Sequence, residues 1–221
     1  MLERLRGKLV VSCQPVPNGP MDRPEIVAAL GLAALAGGAA GLRIEGVANL
    51  RAARSATDAP VIGLIKRDLV DSDVRITPLL DDVDELTQAG AEIIAVDATQ
   101  RPRPVPVADL LARIRAHGRL AMADCATEED ARAAHALGFD ILGSTLSGYT
   151  GGPVPDAPDL DLVASLRSIG GFVMAEGRYS RPEDVALARL RGAHAVTVGT
   201  AITRTEIVTS WFAQAAEDLD G

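Results

Sequence analysis

The sequence predicts an α/β protein, one closed (β/α)8 (TIM) barrel spanning residues 1–221, on three observations. Short β-branched runs alternate eight times with amphipathic Ala/Leu-rich segments, the pattern of repeated strand and helix units in a parallel sheet. Glycine-containing stops recur where those helices should end. No GxGxxG follows the first run, which disfavours the competing open, doubly wound sheet.

The elements follow in order. Strand 8–13 leads to helix 24–36, which opens at Pro24 behind Asp22 and Arg23 and stops at Ala36-Gly37. Strand 41–45 leads to helix 47–55, and strand 61–66 to helix 79–89, stopped by Ala89-Gly90. Strand 93–97 precedes helix 107–116, which ends at His117-Gly118. Strand 120–124 precedes helix 128–136, where Thr127 stands before Glu128, Glu129 and Asp130 and Leu137-Gly138 closes the far end. Strand 140–143 is followed by the longest irregular stretch, 146–158, and then helix 160–168. Strand 172–176 leads to helix 182–189, with Ser180 two residues before Pro182-Glu183 and a stop at Arg191-Gly192. Strand 195–199 and helix 206–218 complete the count.

Composition fits this reading. Hydrophobic residues make up 48% of the chain and aromatics only 3%, so the core is built from Ala, Val, Leu and Ile, as in buried parallel strands covered by helices. Thirty acidic residues against 22 basic ones give a net charge of −8, which disfavours nucleic acid and anionic membrane as partners, and neither is expected. An anionic substrate then requires a local positive site. No apolar run is long enough for a membrane span, and the first residues lack a secretory h-region, so a cytoplasmic protein is expected. Cys13 and Cys125 are too few for a disulfide scaffold and carry no metal-ligand spacing.

The C-terminal strand ends of such a barrel converge on one mouth. There the sequence places Ser12, Cys13, Gln14, Arg43, Glu45, Lys66, Arg67, Asp97, Thr99, Asp124, Thr145, Glu176 and Arg178. Any one of these could merely cap a strand end, but the ring as a whole reads as a functional mouth. The turns Glu176-Gly177-Arg178 and Gly199-Thr200-Ala201-Ile202 fall after strands seven and eight, where barrels bind phosphate, and Arg204 supplies charge. The plainer alternative is two ordinary glycine turns and a surface arginine. His117, His135 and His194 lie at the wrong end or on the outside, and neither cysteine has an evident base beside it. Lys66 and Glu176 remain as the acid/base pair, on strands four apart and therefore facing across the ring. An anion anchor for Lys66, and a partner to Arg178 or Arg43 for Glu176, stay open at this level.

The chain also resembles the bacterial N-acetylmannosamine-6-phosphate 2-epimerase family throughout its length. The matching segments are Ser12-Cys13-Gln14, Leu42-Arg43-Ile44-Glu45-Gly46, Ile62-Gly63-Leu64-Ile65-Lys66-Arg67, Asp97-Ala98-Thr99 and Asp124-Cys125. Further on come Gly143-Ser144-Thr145-Leu146-Ser147-Gly148-Tyr149-Thr150, Ala175-Glu176-Gly177-Arg178 and Val198-Gly199-Thr200-Ala201-Ile202-Thr203-Arg204. Two departures concern loop geometry: Thr205 replaces an expected proline, and Ser144 a usual threonine.

The resemblance implies interconversion of N-acetyl-D-mannosamine 6-phosphate and N-acetyl-D-glucosamine 6-phosphate in sialic acid breakdown, without metal or organic cofactor. It implies Lys66 as base on the mannosamine isomer and Glu176 as acid, with Lys66 depressed by Arg43 and desolvation. A protonated Lys66 that stabilises the enolate is an alternative. Gln14, Arg43, Asp124 and Thr145 are the expected substrate contacts, and Gly177, Arg178, Gly199, Thr200 and Arg204 the phosphate contacts. The partner is a phosphorylated amino sugar, and a homodimer is compatible with it. Rival readings are another phosphosugar isomerase on the same barrel and a non-catalytic phosphosugar-binding protein.

Overall fold

The computed structural model describes residues 1–217. Its strands are β1 Leu9–Cys13, β2 Gly41–Glu45, β3 Val61–Leu64, β4 Ile93–Asp97, β5 Leu120–Asp124, β6 Ile141–Gly143, β7 Phe172–Glu176 and β8 Ala195–Val198. They pair in parallel, in sequence order, and β8 returns to β1, so the barrel is closed. The helices are α1 Leu2–Leu5, α2 Pro24–Ala36, α3 Val47–Ala56, α4 Leu80–Gln88, α5 Val107–Ala116, α6 Glu128–Leu137, α7 Leu160–Ile169, α8 Pro182–Leu190, α9 Thr200–Thr203 and α10 Thr205–Glu217. The expected last residue of the final helix, Asp218, lies outside the described residues.

The period-two alternation of each strand sorts its side chains between two apolar layers. Val11, Cys13, Leu42, Ile44, Val96, Ala123, Val173 and Val196 point outward under the helices. Val10, Ile62, Ile93, Met122, Ile141, Met174 and Ala195 fill the inside. Gly63 shows how close the outer packing is. A Cβ there would stand 2.9 Å from the Ala91 Cβ and 3.1 Å from Leu86, so α3 and α4 approach the β3 wall only because no side chain intervenes.

α1 was not legible in the sequence pattern, since four residues carry no helical period. It lies beneath the N-terminal strand ends, where Leu5 is fully buried in the inner layer and Gly7 N–H donates to the His194 carbonyl at 2.7 Å. The expected helix stops need one correction. Gly37 is right-handed (φ −77°), and Gly38 (φ +103°) takes the left-handed step, one residue later. Gly90, Gly118, Gly138 and Gly192 do adopt positive φ where expected.

β3 also ends earlier than expected, at Leu64. Lys66 instead pairs with Ile76 in an isolated antiparallel bridge that folds the segment after β3 over the mouth.

Candidate active site

The mouth opens into a cavity of about 950 Å³ whose wall includes Gln14, Arg43, Lys66, Thr145, Glu176, Gly177, Arg178, Gly199, Thr200 and Arg204. Ten of the eleven expected site residues are therefore brought together, and Asp124 is the exception. It is fully buried behind the wall, with both oxygens taken: Arg43 donates to them at 3.2 and 2.6 Å, and Thr145 Oγ1 donates to Oδ1 at 2.6 Å. Asp124 holds Arg43 and Thr145 in place and does not reach the cavity wall.

Register explains this cluster. Ser12 pairs with Arg43, Asp97 with Asp124, and Glu176 with Thr197, so these side chains share the inner face just above the apolar filling. Arg43 is 1% exposed and lies between Asp124 and Glu176. Burial works against its charge, but the two carboxylates more than offset that, and its pKa is raised. The Arg43 Nε stands 3.3 Å from Glu176 Oε1, within ion-pair reach, yet has no aligned hydrogen-bond acceptor among the described residues.

Glu176 is the second carboxylate facing a single guanidinium. Burial pushes its pKa up to about 7; Arg43 opposes the rise and Asp124 adds to it. Its backbone is clamped by Ser144, whose Oγ accepts from Glu176 N–H at 3.0 Å and donates to its carbonyl at 2.9 Å. Ser144, in place of the usual threonine, thus supplies the hydroxyl that this clamp uses.

Lys66 is partly buried, and its Nζ donates to Gln14 Oε1 at 2.6 Å. Its pKa falls to about 8, first through burial and then through the nearby charge of Arg204; Glu45 opposes the fall, and Arg43 and Arg75 deepen it. Sequence reasoning named desolvation and Arg43, and the larger cationic contribution of Arg204 comes from the loop after β8. Because Lys66 meets Gln14 while Glu176 meets Arg43 and Thr145, the two do not neutralise each other by direct contact.

The glycine turns after β7 and β8 line the same wall, with Gly177 at φ +111° and Arg178 at φ +62°. Arg178 is largely committed elsewhere. Its Nε donates to the Ala157 carbonyl at 2.7 Å, its Nη1 donates to the Ser147 carbonyl, and its guanidinium lies 5.4 Å from the Tyr149 ring centroid. It fastens the long segment after β6. Arg204 spends only Nε, on the Gln14 carbonyl at 2.8 Å, and pairs with no carboxylate among the described residues.

Both cysteines are buried. Burial pushes Cys13 up to about 12 and Cys125 well above the usual thiol range, so neither is a ready thiolate. Among the described residues no three His, Cys, Asp or Glu side chains converge as a metal site. Sequence reasoning missed Arg75, Arg101, Tyr179 and Thr197 on the cavity wall. Thr197 was open to inference only through register, since it pairs with Glu176 on the inner face.

A family model described as "Putative N-acetylmannosamine-6-phosphate epimerase" matches residues 27–218. The chain belongs to that family. A relative from Haemophilus influenzae, named "Putative N-acetylmannosamine-6-phosphate 2-epimerase", is 55% identical over 217 residues, covering 98% of this chain and 95% of its own. A relative of the same name from Escherichia coli is 59% identical over 206 residues, 93% and 90% of the two chains. Among solved structures, the N-acetylmannosamine-6-phosphate 2-epimerase from Clostridium perfringens superposes with a TM-score of 0.94 at 40% identity, covering 97% of this chain and 96% of that one. The thiamine phosphate pyrophosphorylase from Pyrococcus furiosus, at TM-score 0.61 and 16% identity, shares the fold alone.

Proposed function

We propose that the chain interconverts N-acetyl-D-mannosamine 6-phosphate and N-acetyl-D-glucosamine 6-phosphate by moving the C2 proton of the open-chain sugar. One observation carries this reading. Lys66 and Glu176 reach one chamber from opposite sides of the ring, with proton affinities brought from far apart to about 8 and about 7. Epimerisation needs one proton shared between two groups, one accepting on one face of C2 and one donating on the other.

The C1 aldehyde makes C2–H acidic. A base removes that proton, the bonding pair moves through C1 to give an enolate, and the opposite group returns a proton to C2. Lys66 is the base towards the mannosamine isomer and Glu176 the acid, with the roles exchanged in reverse. The higher pKa of Lys66 favours protonated Lys66 beside ionised Glu176 in the free enzyme. The mannosamine direction therefore starts from the minor arrangement of the same proton. The Arg43 Nε–H, lacking an aligned acceptor, is available to the enolate oxygen.

In this reading Gln14, Arg43 and Thr145 orient the sugar. Gly177, Arg178, Gly199 and Thr200 offer backbone N–H groups to the phosphate, and Arg204 offers its free Nη groups. The reaction belongs to sialic acid breakdown in the cytoplasm, where a charged sugar phosphate is retained. No helix among the described residues is long and apolar enough to cross a membrane. Two copies pair through α10, which buries none of its side chains and leaves Trp211 and Phe212 44% and 74% exposed. A solution mass equal to one chain at micromolar concentration would remove that pairing.

The test of the reaction is an NMR time course with each 6-phosphorylated C2 epimer in D2O. Each should give the other, with deuterium at C2 and nowhere else. Failure to convert either epimer would sink the epimerase reading, and product without C2 deuterium would sink solvent-exchanging bases.

A further inference from the structure

Thr197 is 1% exposed and lies on the cavity wall, yet its Oγ1 has no hydrogen-bond partner among the described residues. A buried hydroxyl without a partner is costly, whereas valine fills the same shape without that cost. None of the neighbouring groups makes a hydrogen bond to it among the described residues. Ser144 holds both the N–H and the carbonyl of Glu176, Thr145 Oγ1 gives its one hydrogen to Asp124 Oδ1 at 2.6 Å while lying 3.4 Å from Glu176 Oε2, and Arg43 Nε stands 3.3 Å from Glu176 Oε1. The other register neighbour of Thr197 is Val10, which offers no polar side chain.

Position indicates what the hydroxyl meets. Thr197 is in register with Glu176 on β7 and stands two residues before Gly199, the first residue past β8. That spacing is about 7 Å along a strand. Thr197 therefore lies between the group that handles the C2 proton and the turn that takes the phosphate. The substrate segment crossing that interval carries the hydroxyls of C3, C4 and C5.

Resting on the functional reading above, we propose that Thr197 is a substrate contact, its Oγ1 hydrogen-bonding one hydroxyl of the open-chain sugar between C2 and the 6-phosphate. The contact selects a polyhydroxylated chain over a deoxygenated one. With no protein partner among the described residues, the Oγ1 hydroxyl is left open to that contact.

The experiment compares wild type, Thr197→Val and Thr197→Ser on N-acetylmannosamine 6-phosphate and on its 3-, 4- and 5-deoxy analogues. Thr197→Val should keep or raise the melting temperature while kcat/KM falls about ten- to hundredfold. Thr197→Ser should recover most of the loss. One deoxy analogue should be turned over by wild type and Thr197→Val to within about twofold, because on it the contact no longer exists. Full activity in Thr197→Val, an equal loss on all three analogues, or a sharp drop in melting temperature would each overturn the contact. So would a shifted acid limb of the pH profile, which would make Thr197 a partner of Glu176 instead. Calorimetric affinity for N-acetylglucosamine 6-phosphate gives a second readout. A wild type that binds without turnover, and loses affinity in Thr197→Val, would overturn the epimerase reading and leave this contact standing.

Discussion

Lys66 and Arg204 are held by the same residue: the Gln14 side-chain oxygen accepts from Lys66 Nζ at 2.6 Å, and the Gln14 carbonyl accepts from Arg204 Nε at 2.8 Å. The group proposed to handle the C2 proton and the cation proposed to meet the phosphate are thus fixed to one short stretch of chain after β1.

Arg204→Ala should act in two ways. Loss of a phosphate contact made equally in ground and transition states raises KM about tenfold or more while kcat changes little. Loss of the charge that lowers the Lys66 pKa moves the alkaline limb of activity above pH 8. An unchanged KM with a collapsed kcat would remove Arg204 from the anion site.

Wild-type kcat/KM should follow a bell in pH. Below about 7 Glu176 gains a second proton for the pair, and above about 8 Lys66 loses the last one, so the active one-proton state is confined between those limbs. A single sigmoid across pH 5–10 would mean that only one of the two groups matters.

Lys66→Ala and Glu176→Gln should each lower turnover about 100-fold or more. Each variant keeps one of the two groups, so each should exchange the C2 hydrogen of one epimer with D2O without forming the other. Wash-in by opposite epimers in the two variants assigns the faces. Loss of exchange for both epimers in both variants would contradict a one-group-per-face scheme.

Asp124→Asn should lower the Glu176 pKa, because Asp124 raises it and Arg43 would then serve one carboxylate instead of two. The acid limb moves below 7, and folding stability drops by about 3 kcal/mol as a buried ion pair is broken. An acid limb that stays in place would show that the Arg43 charge is not shared.

Leu5→Ala should cost about 2–5 kcal/mol, the range for truncating a fully buried leucine, with kcat at low temperature unchanged. Denaturant melts read the first quantity and steady-state assays the second. A kcat that falls with stability would tie the N-terminal plug to the mouth.

Much of the barrel was legible because its signals are local. β-branched runs such as those of β1 and β4 and left-handed glycines such as Gly90 and Gly138 speak for themselves. What escaped depends on contacts made at a distance. Lys66 lies past β3 because Ile76 bridges back to it. Asp124 is hidden because Arg43 and Thr145 cover it, and Arg178 turns away because the Ser147 and Ala157 carbonyls receive it. Thr197 was missed because threonine in a β-branched run reads as strand propensity alone.

Among the described residues, α1 and the inner apolar layer fill the N-terminal end of the barrel, and the chamber opens at the C-terminal mouth. Both epimers must enter and leave through it, and neither can depart while the other arrives. Each is therefore a competitor of the other, and as a mixture nears equilibrium the enzyme spends its time on futile return trips. Net flow in one direction is set by how fast the departing sugar is drawn off outside.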